Sequence, residues 1–141
     1  MIRKMLSVIL AMTISTICLL CSTVSASYIP PDSPQYSYTK YCSSELTISG
    51  TTATCTSNAT GYINVTTQID FSQTLQKQNS NGNWNDVSNA SWSDTVYYYK
   101  GTVTNTKSSL SSGTYRLKTV FTVYAGSSYE TITKYSQERT V

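Results

Sequence analysis

The chain lacks histidine altogether, and only 12% of its 141 residues are charged. Without histidine it cannot assemble a Ser-His-Asp or Cys-His catalytic group, and it lacks the commonest zinc ligand. No segment shows the i, i+3, i+4, i+7 apolar spacing of an amphipathic helix. These absences argue against nucleophilic enzymes, zinc sites and helical folds, and they favour a non-enzymatic protein without cofactors.

Long apolar runs are also scarce, and the one that exists stands at the start of the chain. Residues 5–20 are mostly apolar and follow the cations Arg3 and Lys4, and Val24-Ser25-Ala26 precedes Ser27. A positive start, an apolar stretch and a small-residue site form the pattern of a secretory signal peptide. We therefore predict a signal peptide over residues 1–26, a secreted product, and contact with a membrane only during export.

The residues disfavour two alternatives to a cleaved signal peptide. An uncleaved membrane anchor needs about 20 consecutive apolar residues, and this run is shorter. Lipidation at Cys18 or Cys21 is disfavoured because Ile17 and Leu20, the residues just before them, are bulky.

The positive charge of the chain belongs largely to this leader. The full sequence has 10 Lys and Arg against 7 Asp and Glu, and removing Arg3 and Lys4 leaves 8 against 7. A nearly neutral domain without a basic cluster lacks the electrostatic footprint that binding to a phosphate backbone requires. Nucleic acid is therefore not expected as a partner.

Cysteine is sparse once the leader is set aside, since only Cys42 and Cys55 of the four remain. In an oxidising compartment a pair of cysteines predicts a disulfide, which would stabilise a short loop by about 3 kcal/mol. The alternative, a metal or redox site, lacks both a CxxC spacing and histidine.

Proline divides the mature chain into two parts. All three prolines, Pro30, Pro31 and Pro34, lie in the first part, and their density favours extended, loosely packed chain. We predict an extended arm over residues 27–40 and one β-domain over residues 41–141, which is long enough for a single core.

Within residues 41–141, apolar and polar residues alternate as in half-buried strands. Gly50-Thr51, Asn79-Ser80-Asn81-Gly82-Asn83 and Gly126-Ser127 are predicted to be turns. The predicted strands cover residues 46–48, 53–55, 63–75, 84–92, 96–103, 115–124 and 129–135, with a bulge between Trp84 and Val87. About seven short strands of this kind indicate an antiparallel sandwich or barrel.

Two features then resemble immunoglobulin-like and fibronectin-type domains. Ser112-Gly113-Thr114-Tyr115-Arg116 resembles the turn and tyrosine that begin a late strand in those sandwiches, and Trp84 and Trp92 lie where such domains keep a core tryptophan. The pattern from about Tyr41 to Tyr135 also resembles small secreted bacterial proteins of unknown function. The resemblance implies an immunoglobulin-like β-sandwich of about seven strands and contributes no active site.

Tyrosine is the abundant residue, and all twelve copies lie after the leader. At least one ring of Tyr97-Tyr98-Tyr99 is expected to face solvent, because neighbouring strand residues point to opposite faces. We predict a ligand-binding aromatic platform. Its candidate residues are Trp84, Trp92, Tyr97 and Tyr99, with Asn83, Asn85 and Lys100 nearby. The alternative is that the two tryptophans fill the core.

Acidic residues offer no recognisable catalytic or metal-binding pattern. The seven are scattered, and the D-x-D-x-D spacing of a calcium loop is missing. They are interpreted as ordinary surface charge, with Asp70 on a solvent-facing side of its strand.

Three functions remain open from the sequence. The first is a non-enzymatic extracellular or cell-surface interaction module that binds a protein. The second is a carbohydrate-binding protein of wall or matrix glycans, and the third is a self-assembling matrix component built on the β-prone run over residues 119–125.

Overall fold

The computed structural model describes residues 36–141, so the predicted signal peptide and most of the predicted arm lie outside the described residues. These residues form eight strands and no helix. In chain order the strands are β1 (Thr39–Ser49), β2 (Thr52–Gly61), β3 (Gln68–Gln78), β4 (Trp84–Val96), β5 (Lys100–Lys107), β6 (Thr114–Ala125), β7 (Ser128–Tyr135) and β8 (Arg139–Thr140). β1 begins two residues before the domain boundary predicted at Tyr41.

The strands form two antiparallel sheets, as predicted. One sheet has the order β1-β2-β5, and the other has the order β4-β3-β6-β7 with the short β8 also paired to β6. β1, β2 and β5 correspond to strands A, B and E of an immunoglobulin constant-type domain, and β3, β6 and β7 correspond to C, F and G. β4 pairs with β3 instead of extending the three-stranded sheet. The predicted immunoglobulin-like sandwich is confirmed.

Tyr115 forms the tyrosine corner of this fold. Its hydroxyl donates a hydrogen bond of 2.6 Å to the Ser111 carbonyl oxygen, four residues upstream, just as β6 begins. The ring itself is buried. This bond fixes the loop that crosses from β5 to β6, as the turn-and-tyrosine pattern of the sequence indicated.

Local turn chemistry sets the hairpins. Gly50 has a φ of 56° and Gly126 a φ of 62°, in the left-handed region that glycine enters without a side-chain clash. Each begins a two-residue connection, between β1 and β2 and between β6 and β7 respectively. Between β3 and β4, the Asn79 side-chain oxygen accepts hydrogen bonds from the Asn81 and Asn83 amides, at 3.0 and 2.9 Å. All three predicted turns are present.

Two apolar clusters fill the space between the sheets. The first includes Leu46, Cys55, Leu75, Tyr115 and Leu117. The second, which lies further along the same strands, includes Cys42, Ala59, Ile69, Phe71, Phe121 and Val123. Phe71 and Phe121 meet edge to face with ring centroids 5.5 Å apart, a favoured aromatic geometry.

A layer of hydrogen-bonded polar side chains separates these two clusters, and we call it the polar belt. Its members are Ser44, Ser57, Gln73, Asn105 and Thr119. Gln73, fully buried, donates to the Ser57 hydroxyl at 2.7 Å and to the Cys55 carbonyl at 3.2 Å. Its oxygen accepts from the Asn105 amide at 2.9 Å. Thr119 bridges the hydroxyls of Ser44 and Ser57, at 2.9 and 2.8 Å.

The structure corrects the predicted disulfide, because Cys42 and Cys55 are both buried free thiols. In the β1–β2 ladder Cys42 pairs with Ala59 and Cys55 pairs with Leu46. Cys42 and Leu46, the partner of Cys55, are four positions apart on β1. The two cysteines are therefore separated along the strands by about 13 Å, at roughly 3.3 Å per residue. A disulfide requires Cα atoms less than about 7 Å apart, so this register rules it out.

Several strand boundaries also differ from the prediction. β1 and β2 are longer than the predicted ranges 46–48 and 53–55, and β4 continues to Val96. The strand predicted over residues 63–75 begins only at Gln68, and Ile63 and Val65 lie in an exposed connection. The strand predicted over residues 96–103 is interrupted at residues 97–99, where the chain passes from β4 to β5. The bulge predicted between Trp84 and Val87 lies further along β4, because the register is regular from Trp84 to Asp86 and shifts between Asp86 and Ser91.

Candidate functional site

The structure does not bring the four predicted ligand-binding residues onto one platform. Trp84 lies on the outer face of the five-stranded sheet, where β4 pairs with Gln78 of β3. Trp92 lies opposite Gln73 and packs against the first core cluster. Tyr97 and Tyr99 lie in the connection from β4 to β5, at the end of the sandwich. Only the two tyrosines share a location.

Both tryptophans make contacts within the domain. The Arg116 guanidinium lies between two rings, with its carbon 4.3 Å from the Trp84 ring centroid and 4.2 Å from that of Tyr135. Arg116 also donates from Nε to the Gln76 side-chain oxygen at 2.9 Å. These cation–π contacts hold the rings of Trp84 and Tyr135 against Arg116. Trp92 is half-buried and packs on the first core cluster, which is the alternative that the sequence left open for it.

A different surface emerges where three connections meet at one end of the sandwich. These are residues 62–67 between β2 and β3, residues 97–99 between β4 and β5, and the β6–β7 turn. Five of the eight large apolar or aromatic side chains that residues 36–141 expose are concentrated here, and we call them the loop-end surface. They are Tyr62, Ile63, Val65, Tyr97 and Tyr98. Ile63 is 64% exposed and Tyr97 is 80% exposed.

The connection between β2 and β3 is held by Thr66, which is buried. Its hydroxyl donates to the Tyr38 carbonyl at 2.6 Å and accepts from the Tyr62 amide at 3.1 Å. The amides of Val65 and Thr66 both donate to the Tyr62 carbonyl, at 3.1 and 2.9 Å. The backbone that carries Ile63 is therefore closed into a hydrogen-bonded turn.

The segment just before β1, which contains Ser37 and Tyr38, helps to hold the same turn in place. Two successive amides, those of Ser37 and Tyr38, donate to the two oxygens of the Glu130 carboxylate, at 2.8 and 2.9 Å. The Tyr38 carbonyl then accepts from Thr66. A carboxylate on β7 thus positions the β2–β3 connection through the segment that leads into the first strand.

The connection between β4 and β5 is likewise ordered. The rings of Tyr98 and Tyr99 lie with centroids 4.5 Å apart, and the Lys100 ammonium lies 5.8 Å from the Tyr99 ring centroid. The Tyr99 carbonyl accepts from the Gly61 amide at 2.7 Å. Between this connection and residues 63–67 lies an open cleft of about 390 Å³.

The acidic residues with described contacts are used to tie strands together. Asp70 accepts from Gln68 and Thr95, Asp86 accepts from Gln76, and Asp94 accepts from Asn105. The hydrogen bond with Asp70 raises the pKa of Tyr124 above its ordinary value. Among residues 36–141, no group of three or more His, Cys, Asp or Glu side chains is placed to hold a metal ion.

Both thiols are chemically quiet. Burial raises the pKa of Cys55 to about 12, and burial is also the main cause that raises the pKa of Cys42. A thiol is nucleophilic as the thiolate, so neither side chain is activated for chemistry.

Comparison with known proteins leaves the fold and the surface as the basis for function. No protein-family model matches the chain, and no curated protein matches it. The resemblance to small secreted bacterial proteins therefore stays a prediction. In the described part of the chain, no helix has the length and apolar character needed to cross a membrane.

Sequence reasoning found Tyr97 but missed Ile63 and Val65. It placed them in a strand interior because they continue the odd-numbered apolar positions of β3. The sequence did contain a local sign of a turn, namely Gly61 and Asn64. Gly61 ends β2, and Asn64 has a φ of 63°, a value that asparagine adopts more readily than most residues.

Proposed function

We propose that this protein is a secreted recognition module that binds an extracellular protein partner through its loop-end surface and performs no chemistry of its own. The observation that carries the proposal is the exposure of Ile63 and Val65 beside Tyr97 and Tyr98. A small domain seldom leaves aliphatic and aromatic side chains clustered in solvent unless they contact something.

The composition of the loop-end surface favours a protein partner over a sugar. Tyrosine and apolar residues are enriched in the centres of protein–protein interfaces, and tyrosine offers a large contact area with few rotatable bonds. Sugar sites instead combine a free aromatic face with amide and hydroxyl donors, whereas here aliphatic side chains accompany the rings.

The β2–β3 and β4–β5 connections are both held in a defined conformation, and this supports the same proposal. Binding costs free energy for every loop and side chain that must be immobilised. The hydrogen bonds from Thr66 and the contact between Tyr98 and Tyr99 hold this backbone in place before any partner arrives. A preorganised surface loses less entropy on binding, so modest area supports useful affinity.

The predicted signal peptide gives the proposal its compartment. Export would place the loop-end surface outside the cell, in the medium or at the cell surface. In immunoglobulin variable domains, loops at this same end of the sandwich form the antigen-binding site, which shows that the architecture can carry recognition there.

The first test is site-specific crosslinking in the native host. A photoreactive amino acid replaces Tyr97 in one strain and Thr131, exposed on the outer face of the five-stranded sheet, in another. We expect a discrete crosslinked protein from the Tyr97 position and none from the Thr131 position.

Competition makes this test specific. Excess wild-type protein should suppress the crosslink, while an Ile63→Ser/Tyr97→Ser double variant, shown to fold by thermal denaturation, should not. Equal crosslinking at both positions, or equal competition by the double variant, would contradict the proposal.

A further inference from the structure

A second surface on the molecule has a different chemistry. It lies on the outer face of the three-stranded sheet, where a hollow of about 550 Å³ is bounded by side chains of β1, β2 and β5. We call it the Tyr41 groove, and its side chains are those of Tyr41, Asn58, Thr60, Lys100 and Thr102.

The sheet register fixes the shape of the groove. Tyr41, Thr60 and Lys100 form one row across the three strands, and Ser43, Asn58 and Thr102 form the next. Adjacent strands are about 4.8 Å apart, so the backbones that carry Tyr41 and Lys100 are separated by roughly 10 Å. Thr60 is the floor between them, and the side chains of Tyr41 and Lys100 are the two walls. The Lys100 ammonium also lies 5.8 Å from the Tyr99 ring centroid.

The side chains around this hollow have the character of a sugar site. Tyr41 is 58% exposed and offers a ring to the C–H face of a sugar. The Asn58 amide oxygen accepts from the Thr102 hydroxyl at 2.7 Å, and its nitrogen donates to the Ser43 hydroxyl at 3.5 Å, which leaves the second N–H of that nitrogen as a donor for a ligand. The exposed Lys100 supplies a positive charge at the opposite wall.

Polar side chains continue along the sheet beyond the groove. Thr56 and Thr104 hydroxyls lie 3.2 Å apart, and Thr47, Thr54 and Thr106 form a further row. Glu45 faces solvent in the Thr56 row, four residues along the strand from the row of Lys100, about 13 Å away. An anionic group on a ligand is therefore attracted at the Lys100 end and repelled near Glu45.

We propose that the Tyr41 groove binds a polysaccharide that carries carboxylates, with one uronic-acid unit between Tyr41 and Lys100. The sugar ring packs on Tyr41, its hydroxyls pair with Asn58 and Thr60, and its carboxylate pairs with the Lys100 ammonium. Charge complementarity selects an acidic glycan over a neutral one. This site is separate from the loop-end surface and takes a different class of ligand.

The test is isothermal titration of the purified protein with tetragalacturonate, with its methyl ester as the neutral matched probe. We expect binding of the acid that weakens as salt is raised, and at least tenfold weaker binding of the ester. Tyr41→Ala and Lys100→Gln should each weaken binding of the acid tenfold or more. Lys107→Gln, at the other end of β5, should leave it unchanged.

Several results would overturn the assignment. They are no binding of tetragalacturonate by the wild-type protein, equal binding of acid and ester, or a loss in Lys107→Gln as large as in Lys100→Gln. The Ile63→Ser/Tyr97→Ser variant should bind tetragalacturonate normally, so failure of one surface is distinguished from failure of the other. Each variant is first shown to unfold at the wild-type temperature, so a loss of binding reports the groove.

Discussion

At the scale of single residues, Cys55 shows how burial decides chemistry. Its side chain is fully buried in the first core cluster, and burial raises its pKa to about 12 from an ordinary 9.0. The folded protein therefore keeps this thiol protonated at pH values at which the unfolded chain releases the proton. Because the native state then binds more protons than the unfolded state, stability must fall as pH rises.

The prediction from Cys55 is a loss of stability that begins near pH 9 and continues toward pH 12. At pH 10 the loss from this thiol is about 1 kcal/mol relative to pH 8. Urea unfolding of wild type and Cys55→Ala at both pH values measures it, and the variant should lose less stability between them. The same change in both proteins would show that Cys55 does not carry the effect.

Cys42 and Cys55 show that an oxidising compartment alone does not predict a disulfide, because the hairpin register decides which residues lie side by side. Two cysteines thirteen positions apart suggested a bridge, yet a two-residue turn at Gly50-Thr51 fixes which residues face each other. Counting outward from that turn places Cys42 opposite Ala59 and Cys55 opposite Leu46, as the ladder shows. The sequence contained enough information to reject the disulfide, since turn geometry sets hairpin register.

At the scale of elements, alternation and turn residues predicted most of the sheet. β2 and β6 follow strict alternation next to a glycine turn, and the pattern placed their buried faces correctly. β1 alternates only after the register shift between Thr39 and Tyr41. The prediction was wrong for the connection between β2 and β3, because alternation alone does not show where a strand begins. Ile63 and Val65 keep the parity of Ile69, but Thr66 closes the backbone into a turn before β3.

Thr66 provides the prediction at this scale. Thr66→Val preserves shape but removes the hydroxyl that bonds Tyr38 and Tyr62, and it should cost about 1–2 kcal/mol of unfolding free energy. Amide hydrogen exchange should quicken over residues 62–67 while the amides of β3 keep their protection.

Thr106→Val, at an exposed position on β5, is the matched control and should change neither stability nor exchange appreciably. Uniformly faster exchange across the domain, or an unaltered connection in Thr66→Val, would contradict the role assigned to Thr66.

At the scale of the whole molecule, the polar belt is the feature that sequence patterns could not reveal. Gln73, Ser57 and Thr119 occupy inward positions on three strands, and only the packing of the sheets brings them within hydrogen-bond distance. Interior polar groups are costly when unpaired and favourable when fully paired. We expect the belt to favour the native register of the two sheets over shifted pairings.

A double-mutant cycle tests this role. Gln73→Leu should cost about 2–4 kcal/mol because it removes the three hydrogen bonds that Gln73 makes with Ser57, Asn105 and the Cys55 carbonyl. Ser57 keeps its bond to Thr119, and Asn105 keeps its bond to Asp94. Ser57→Ala combined with Gln73→Leu should cost less than the sum of the single changes, with a coupling of about 1 kcal/mol or more.

The exposed Thr56–Thr104 pair gives the control for that cycle. Its hydroxyls lie 3.2 Å apart on the outer face, and its alanine variants should cost less than about 0.5 kcal/mol each. Additive energies in the Gln73–Ser57 cycle would mean that the belt is a set of independent bonds.

The same whole-molecule view limits assembly through the β-prone run. That run lies in β6, which pairs with β3 on one side and with β7 on the other. Its backbone groups are therefore already satisfied in the folded protein, and an intact domain does not offer this segment to a second copy.

The free thiols in the core have a practical consequence for how the domain can be made. Because residues 36–141 are held by two apolar clusters, the polar belt and a tyrosine corner, their folding calls for no oxidant and no disulfide isomerase. The same fold is expected in a reducing cytosol and in an oxidising medium. If it is expressed inside cells, this sandwich should keep its loop-end surface intact under conditions in which cross-linked immunoglobulin domains lose their bridge.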